Sequence, residues 1–144
     1  MLEKTKRLLT LILQFWVPFL LWAAVIYSFS SSDAIKTSAV HWQDFIVKKT
    51  AHITEYFIFA LLLYRALVNS RIAPKNALIC VLVTALLYGT SDEFHQTFTP
   101  TREPTIRDVL IDFCGSLIFV VVMRYLVTKS KKLTDLAKVI QLIR

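Results

Sequence analysis

With 144 residues, 56% of them hydrophobic, two glycines and a mean hydropathy of +0.56, the chain is too apolar to present the largely polar surface that a soluble domain of this size needs. The length leaves room for a single domain, 1–144. A formal charge of +7 would suggest nucleic acid in a soluble protein; in a membrane protein the placement of the charges matters more than their sum, and no nucleic-acid partner is expected.

A short basic start (Lys4, Lys6, Arg7) leads into an apolar run, Leu8–Phe29, of about 22 residues, or roughly 33 Å as a helix, enough to cross a bilayer. A cleaved signal peptide has an apolar core of only about 7–15 residues, so a retained first span is expected. Pro18 should kink it; Trp16 and Trp22 lie within it and Tyr27 near its outer end. Ser28–Thr50 is polar. Ser30–Asp33 reads as a turn and helix start, and His41–Lys49, with Trp42, Phe45 and Ile46, as a short amphipathic helix lying at the interface.

The second span has an apolar core at Tyr56–Tyr64, extending to Val68 if Arg65 snorkels. To reach about 20 residues it must begin near Lys49, which brings in His52 and Glu55. An ionisable group at mid-bilayer costs about 2.5–3.5 kcal/mol, so both belong near the outer end and face protein rather than lipid. Asn69–Asn76 is a connector, with Pro74 suited to the first turn of the third helix. That helix should continue toward Phe98, with Asp92, Glu93 and His95 on its last turns. Pro100 and Pro104 then break the chain, and Thr105-Ile-Arg-Asp108 is a capping-box pattern opening a fourth span, Ile106–Val127. Cys80 and Cys114 sit in apolar runs and read as buried small hydrophobes. The basic tail, 128–144, places Leu133, Leu136, Ile140 and Ile143 on one face of an amphipathic cytoplasmic helix.

Four spans put both termini and the middle connector on one side, which then holds twelve of the seventeen Lys and Arg but two of the ten acids. The positive-inside rule makes that side cytoplasmic. The expected fold is therefore an all-α membrane bundle of four transmembrane helices with both termini inside, an interfacial helix and a cytoplasmic C-terminal helix. Every notable polar residue falls at the outer ends of the helices. Lys49, His52 and Glu55 are spaced by three and share a face, as do Asp92, His95 and Gln96; Asp108 and Asp112 stack, with Asp112 roughly 6 Å deeper. The acids and bases could simply pair to hold helix ends together. Burying so many ionisable groups is costly where apolar contacts would serve, and a solvent-lined functional pocket is the preferred reading.

Three stretches together resemble the VanZ-like family of membrane proteins. They are Lys-x-x-His-x-x-Glu-Tyr (Lys49, His52, Glu55, Tyr56), Tyr-x-x-x-Asp-Glu-x-His-Gln-x-Phe (Tyr88, Asp92, Glu93, His95, Gln96, Phe98) and Pro-x-Arg…Asp-x-x-x-Asp-x-x-Gly (Pro100, Arg102, Asp108, Asp112, Gly115). The resemblance covers Ser28 to Val127, the core of the domain. The chain departs from the usual form at Thr101, where Pro-Gly-Arg loops have glycine, and at Phe119, where a second small residue often follows Gly115. The first departure bears on loop geometry, the second on the closeness of helix packing. The family takes its name from an accessory factor in glycopeptide resistance linked to teicoplanin, a lipid-tailed antibiotic. The resemblance thus implies a multi-pass protein of the bacterial cytoplasmic membrane with a cell-envelope role; it supplies no reaction.

Two hypotheses follow. In the first, the chain is an enzyme acting on a membrane lipid or a lipid-linked envelope precursor. His52 or His95 would be the general base, Glu55 or Asp92 would orient it, and Arg102 or Lys49 would hold an anionic head group. The candidate catalytic residues are His52, Glu55, Asp92, Glu93, His95, Asp108 and Asp112; the candidate binding residues are Lys49, Tyr56, Tyr88, Gln96, Arg102 and Arg107. His52, Glu55, Asp92, His95 and Asp112 are competent metal ligands, but their spacing matches no standard zinc motif, so neither a metal nor a cofactor is assigned. In the second hypothesis the same pocket binds an envelope precursor or a lipoglycopeptide, or supports a partner protein, without chemistry. A transporter is a weaker reading, since the spans are few and no repeat is evident, although an oligomer could supply a path.

Overall fold

The computed structural model describes residues 2–32, 41–99, 102, 104–126 and 129–143. The expectations resting on Asp33, Pro100 and Thr101 lie outside them. Helix α1 spans Leu2–Ser30, α2 His41–Asn69, α3 Pro74–Gln96, α4 Ile106–Val121 and α5 Lys131–Val139. No strand occurs among the described residues.

Three helices (Leu2–Ser30, Trp42–Asn69 and Pro74–Gln96) are long and apolar enough to cross a membrane by length and composition. Their outward faces carry exposed Leu20, Leu21, Val83, Leu86 and Leu87, and α4 adds Leu110, Leu117, Ile118 and Val121. Apolar surface on this scale is at home in lipid, not in water. The polar side chains go the other way: Asp112 and Ser116 are fully buried. Such an inverted distribution is that of a membrane protein.

Two local expectations hold, at Pro74 and at Thr105, while at Pro18 the helix changes type. Pro18 lacks the N–H that would bond the carbonyl of Gln14. The helix accommodates it with a π-helical stretch at Ile12–Trp16, and Arg65 Nη1 lies 3.5 Å from the Gln14 oxygen. Pro74 opens the first turn of α3. Thr105 caps α4, its hydroxyl accepting from Asp108 N–H at 3.3 Å.

Others are corrected. His41–Lys49 is not a separate interfacial helix; it is the first part of α2, which runs unbroken for 29 residues. Pairing of Lys49 and His52 with α4 holds that segment in line with the rest of the helix. Cys80 and Cys114 are exposed on outward faces, not buried, because the inward stripes are occupied by other residues. Helix α3, by contrast, does continue past Thr90, to Gln96, which puts Asp92, Glu93 and His95 on its last turns as expected. In the tail it is Ala137 and Leu142 that are buried, while Leu136 and Ile140 are exposed.

The inward stripes show how the chain packs. On α3 the buried face is Ala77, Val81, Ala85 and Gly89, then Asp92, Glu93 and Gln96. One face is small and apolar for three turns and polar for the last two. On α4 the stripe is Asp108, Asp112, Gly115, Ser116, Phe119 and Val120. Helix α2 is the centre, packing against α4, α3 and α1. It runs parallel to α4 in constant register: Lys49 meets Asp108, His52 meets Asp112 and the Tyr56 carbonyl accepts from Ser116.

Gly115 permits that register, since a Cβ there would collide with the backbone carbonyl of Ile53. The bulk of Phe119 does not hold the helices apart. Its ring is buried edge-on against Phe57 and Tyr64, at 5.7 and 5.6 Å, one turn beyond the close crossing.

The two glycines should therefore respond oppositely to an added methyl. Gly115→Ala forces α2 and α4 apart and should cost about 1–3 kcal/mol, read as a lowered thermal midpoint of the purified protein in detergent. Gly89→Ala meets its neighbours at 3.4–3.5 Å, ordinary contact. It should leave the midpoint unchanged or raise it, alanine being the better helix former by about 1 kcal/mol. Equal losses at both sites would contradict the crossing as described.

Candidate functional site

Helix α1 ends, α2 begins, α3 ends and α4 begins at the same end of the bundle, and the candidate residues meet there. Lys49 Nζ lies 2.5 Å from Asp108 Oδ1. One turn on, His52 Nδ1 lies 2.8 Å from Asp112 Oδ1, a carboxylate with no exposed surface. Facing them from α3, Gln96 Nε2 donates to Asp92 Oδ2 at 3.1 Å. The second carboxylate of that turn, Glu93, accepts from the backbone N–H of Thr105 at 2.8 Å. It thus sits at the positive end of α4, where a negative charge is favoured. Glu55 lies within electrostatic reach of His52, Asp112, Asp92 and Arg102, so the groups form one cluster.

Beneath it is an aromatic floor. Phe59 stacks on Tyr88 with ring centres 5.0 Å apart, and Phe19 and Tyr56 close on Phe59 at 5.1 and 5.8 Å.

Several of the predicted groups are engaged in holding the bundle together. Arg102 donates to the carbonyls of Phe29, at 2.7 Å, and Ser32, at 3.0 Å, closing the end of α1. The Tyr88 hydroxyl donates to the carbonyl of Ala23 at 2.7 Å, and Trp22 Nε1 to the carbonyl of Glu55 at 2.9 Å. Arg107 lies at the rim: its side chain is 62% exposed, over the ring of Phe45, with Nε 3.9 Å from Asp108 Oδ1. The carboxylate that meets His52 is Asp112, rather than Glu55 or Asp92. Spacing along one helix gave no hint of this, because the partner comes from another helix, sixty residues on.

At this end the Ser30 hydroxyl approaches the Asp92 carboxylate, while four buried side-chain atoms among the described residues have no hydrogen-bond partner: Tyr56 Oη, Glu93 Oε1, His95 Nδ1 and Asp112 Oδ2. Buried polar atoms are nearly always satisfied, and each orphan costs about 1–3 kcal/mol. Two of them, Tyr56 Oη and Asp112 Oδ2, face the bare Cα of Gly89, each within 3.5 Å of where a Cβ would stand. His95 presses its ring against Tyr27, centres 4.5 Å apart.

Gly89 and Ser116 carried no expectation from the sequence, and Ser30 was expected only in a turn. A signal for Gly89 existed: the chain has only two glycines, and both adjoin Asp112 or its helix turn.

The chemistry open to this arrangement is proton transfer and hydrogen-bonded recognition. With Asp112 ionised, the imidazole proton of His52 sits on Nδ1, which leaves Nε2 as the basic nitrogen. No group of three or more His, Cys, Asp or Glu side chains among the described residues has the geometry to hold a metal ion.

A family model described as VanZ/LLP1 matches residues 3–128. No curated protein and no solved structure matches.

Asp112→Ala should cost about 1–3 kcal/mol by leaving His52 Nδ1 without its buried acceptor, measured by thermal unfolding in detergent. Glu93→Gln keeps an oxygen for the Thr105 N–H and should shift the midpoint much less. The reverse order would mean that Glu93, not Asp112, anchors the cluster.

Proposed function

This chain belongs to the VanZ/LLP1 family, and from that premise we propose a function centred on its buried polar cluster. The protein is a multi-pass protein of the bacterial cytoplasmic membrane. Its cluster lines a pocket at the extracytoplasmic face that takes the polar head of a lipid-linked cell-envelope substrate, with His52, oriented by Asp112, as general base. The observation that carries this reading is the four unpartnered buried atoms at one end of the bundle, on Tyr56, Glu93, His95 and Asp112. A fold stabilised only by its own ion pairs has no use for them, whereas a polyhydroxyl or amide-bearing head group supplies the missing partners. Glu55, Asp92, His95 and Gln96 are the remaining contacts.

The topology rests on charge and length. Helix α4 and the π-helical stretch after it, Val122–Leu126, make a fourth span of roughly 31 Å. The excess of Lys and Arg at the opposite end makes that end cytoplasmic. Single cysteines test this in a chain whose Cys80 and Cys114 are replaced by serine. Thr97→Cys should react with a membrane-impermeant maleimide on intact cells and Lys75→Cys only after lysis; the opposite pattern would overturn the orientation.

The second reading is a binder without chemistry, which captures an envelope precursor or a lipid-tailed glycopeptide such as teicoplanin. It is favoured by the use of Lys49, Arg102 and Tyr88 inside the fold, which leaves few groups to work on a substrate. His52→Gln separates the two, because glutamine keeps a donor toward Asp112 but cannot take up a proton. In a host whose teicoplanin susceptibility depends on this chain, the catalytic reading expects the effect to be lost at unchanged membrane levels of protein. Full retention in a His52→Gln/His95→Gln variant would leave only the binder.

A further inference from the structure

At the opposite end of the bundle lies a cleft of about 620 Å³ between the α2–α3 connector, the end of α4 and the C-terminal segment. Its walls are apolar, with Val68, Leu78, Met123 and Leu142 among them, and two guanidinium-bearing residues, Arg71 and Arg124, line it. Arg71 also lines an adjoining cavity of about 500 Å³ with Lys4 and Arg7. Among the described residues no acidic side chain lines either space.

Two backbone features frame the same cleft. Arg71 (φ 69°) and Gln141 (φ 61°) are the non-glycine residues with left-handed backbone among the described residues. Gln141 has an internal reason. Its side chain accepts from Arg65 at 2.9 Å and Gln14 at 3.2 Å, and its carbonyl accepts from Asn69 at 2.9 Å. These bonds seat Leu142 and Ile143 as one wall of the cleft.

Arg71 has no such reason. It closes α2 with a bond from Ile72 N–H to the Leu67 carbonyl, at the position where helices ordinarily place glycine. Its guanidinium makes no hydrogen bond or ion pair among the described residues. A side chain held at such a backbone position without an internal partner points to one outside the chain.

We infer that this cleft is a binding site for an anionic phospholipid, its phosphate held by Arg71 and Arg124 and an acyl chain lying along Val68, Leu78, Met123 and Leu142. The site is independent of the His52 cluster. Planar guanidinium groups suit a phosphodiester, and the unbroken apolar wall beside them suits the chain attached to it. The acid-free lining excludes a cationic head group, and the apolar wall distinguishes a lipid from a small soluble phosphate.

The test uses the full-length chain purified in detergent, with bound lipid counted by native mass spectrometry after incubation with equimolar dioleoylphosphatidylglycerol and dioleoylphosphatidylcholine. The wild type should retain the anionic lipid preferentially. Arg71→Gln/Arg124→Gln should reduce that preference by about thirtyfold, at about fivefold per arginine. Arg71→Gly should lose the Arg71 share while raising the thermal midpoint, since glycine relieves the left-handed backbone; a folded, more stable variant thus keeps the test decisive.

Lys131→Gln/Lys132→Gln removes equal charge outside the cleft and should leave the preference intact. Equal retention of both lipids by the wild type, or an equal loss in the lysine variant, would overturn the site. So would complete displacement of the lipid by millimolar glycerol 3-phosphate, which would make the ligand a soluble phosphate.

Discussion

The close crossing of α2 and α4 at Ile53 and Gly115 sets the geometry of everything at the polar end. Because glycine lets the two backbones touch, the helices run parallel in one register, and each turn of α2 meets a fixed turn of α4. Lysine meets aspartate, then histidine meets aspartate, then a backbone carbonyl meets a serine hydroxyl. Moving either helix by one residue would rotate Asp112 by about 100° and turn a buried carboxylate toward lipid. In a membrane, where lipid tails are as apolar as the side chains, such close contacts and interhelical hydrogen bonds replace the hydrophobic drive of soluble cores.

Around that crossing the polar groups divide into two sets. Lys49, Arg102, Tyr88, Trp22 and part of Glu93 close helix ends and tie neighbours together. Tyr56, His95 and Asp112 keep buried atoms without partners. The structural pairing is therefore real but incomplete. Asp112 belongs to both: one oxygen orients His52 and the other stands open beside Tyr56 and Gly89.

The two ends of the bundle are chemically opposite. The cluster around His52 is rich in carboxylates and rests on an aromatic floor. The other end is basic and holds two cavities that share Arg71. An apolar belt with exposed leucine, isoleucine and valine separates them. The difference gives the protein a polarity along its axis as well as across its helices.

Much of this was legible in the sequence, for a physical reason. Helices in lipid satisfy their own backbones, so apolar length, prolines, the Thr105 cap and the three- and four-residue spacing of His52, Glu55, Asp108 and Asp112 translate directly into helices and faces. Family membership followed from the same residues. What one dimension does not contain is which face meets which. The pairing of His52 with Asp112 rather than Glu55, the use of Arg102 to close α1, the merging of 41–49 into α2, the outward position of both cysteines and the orphaned atoms around Gly89 all depend on helix rotation and register. Those are decided by contacts between residues roughly sixty apart in the chain, and only the packed bundle brings them together.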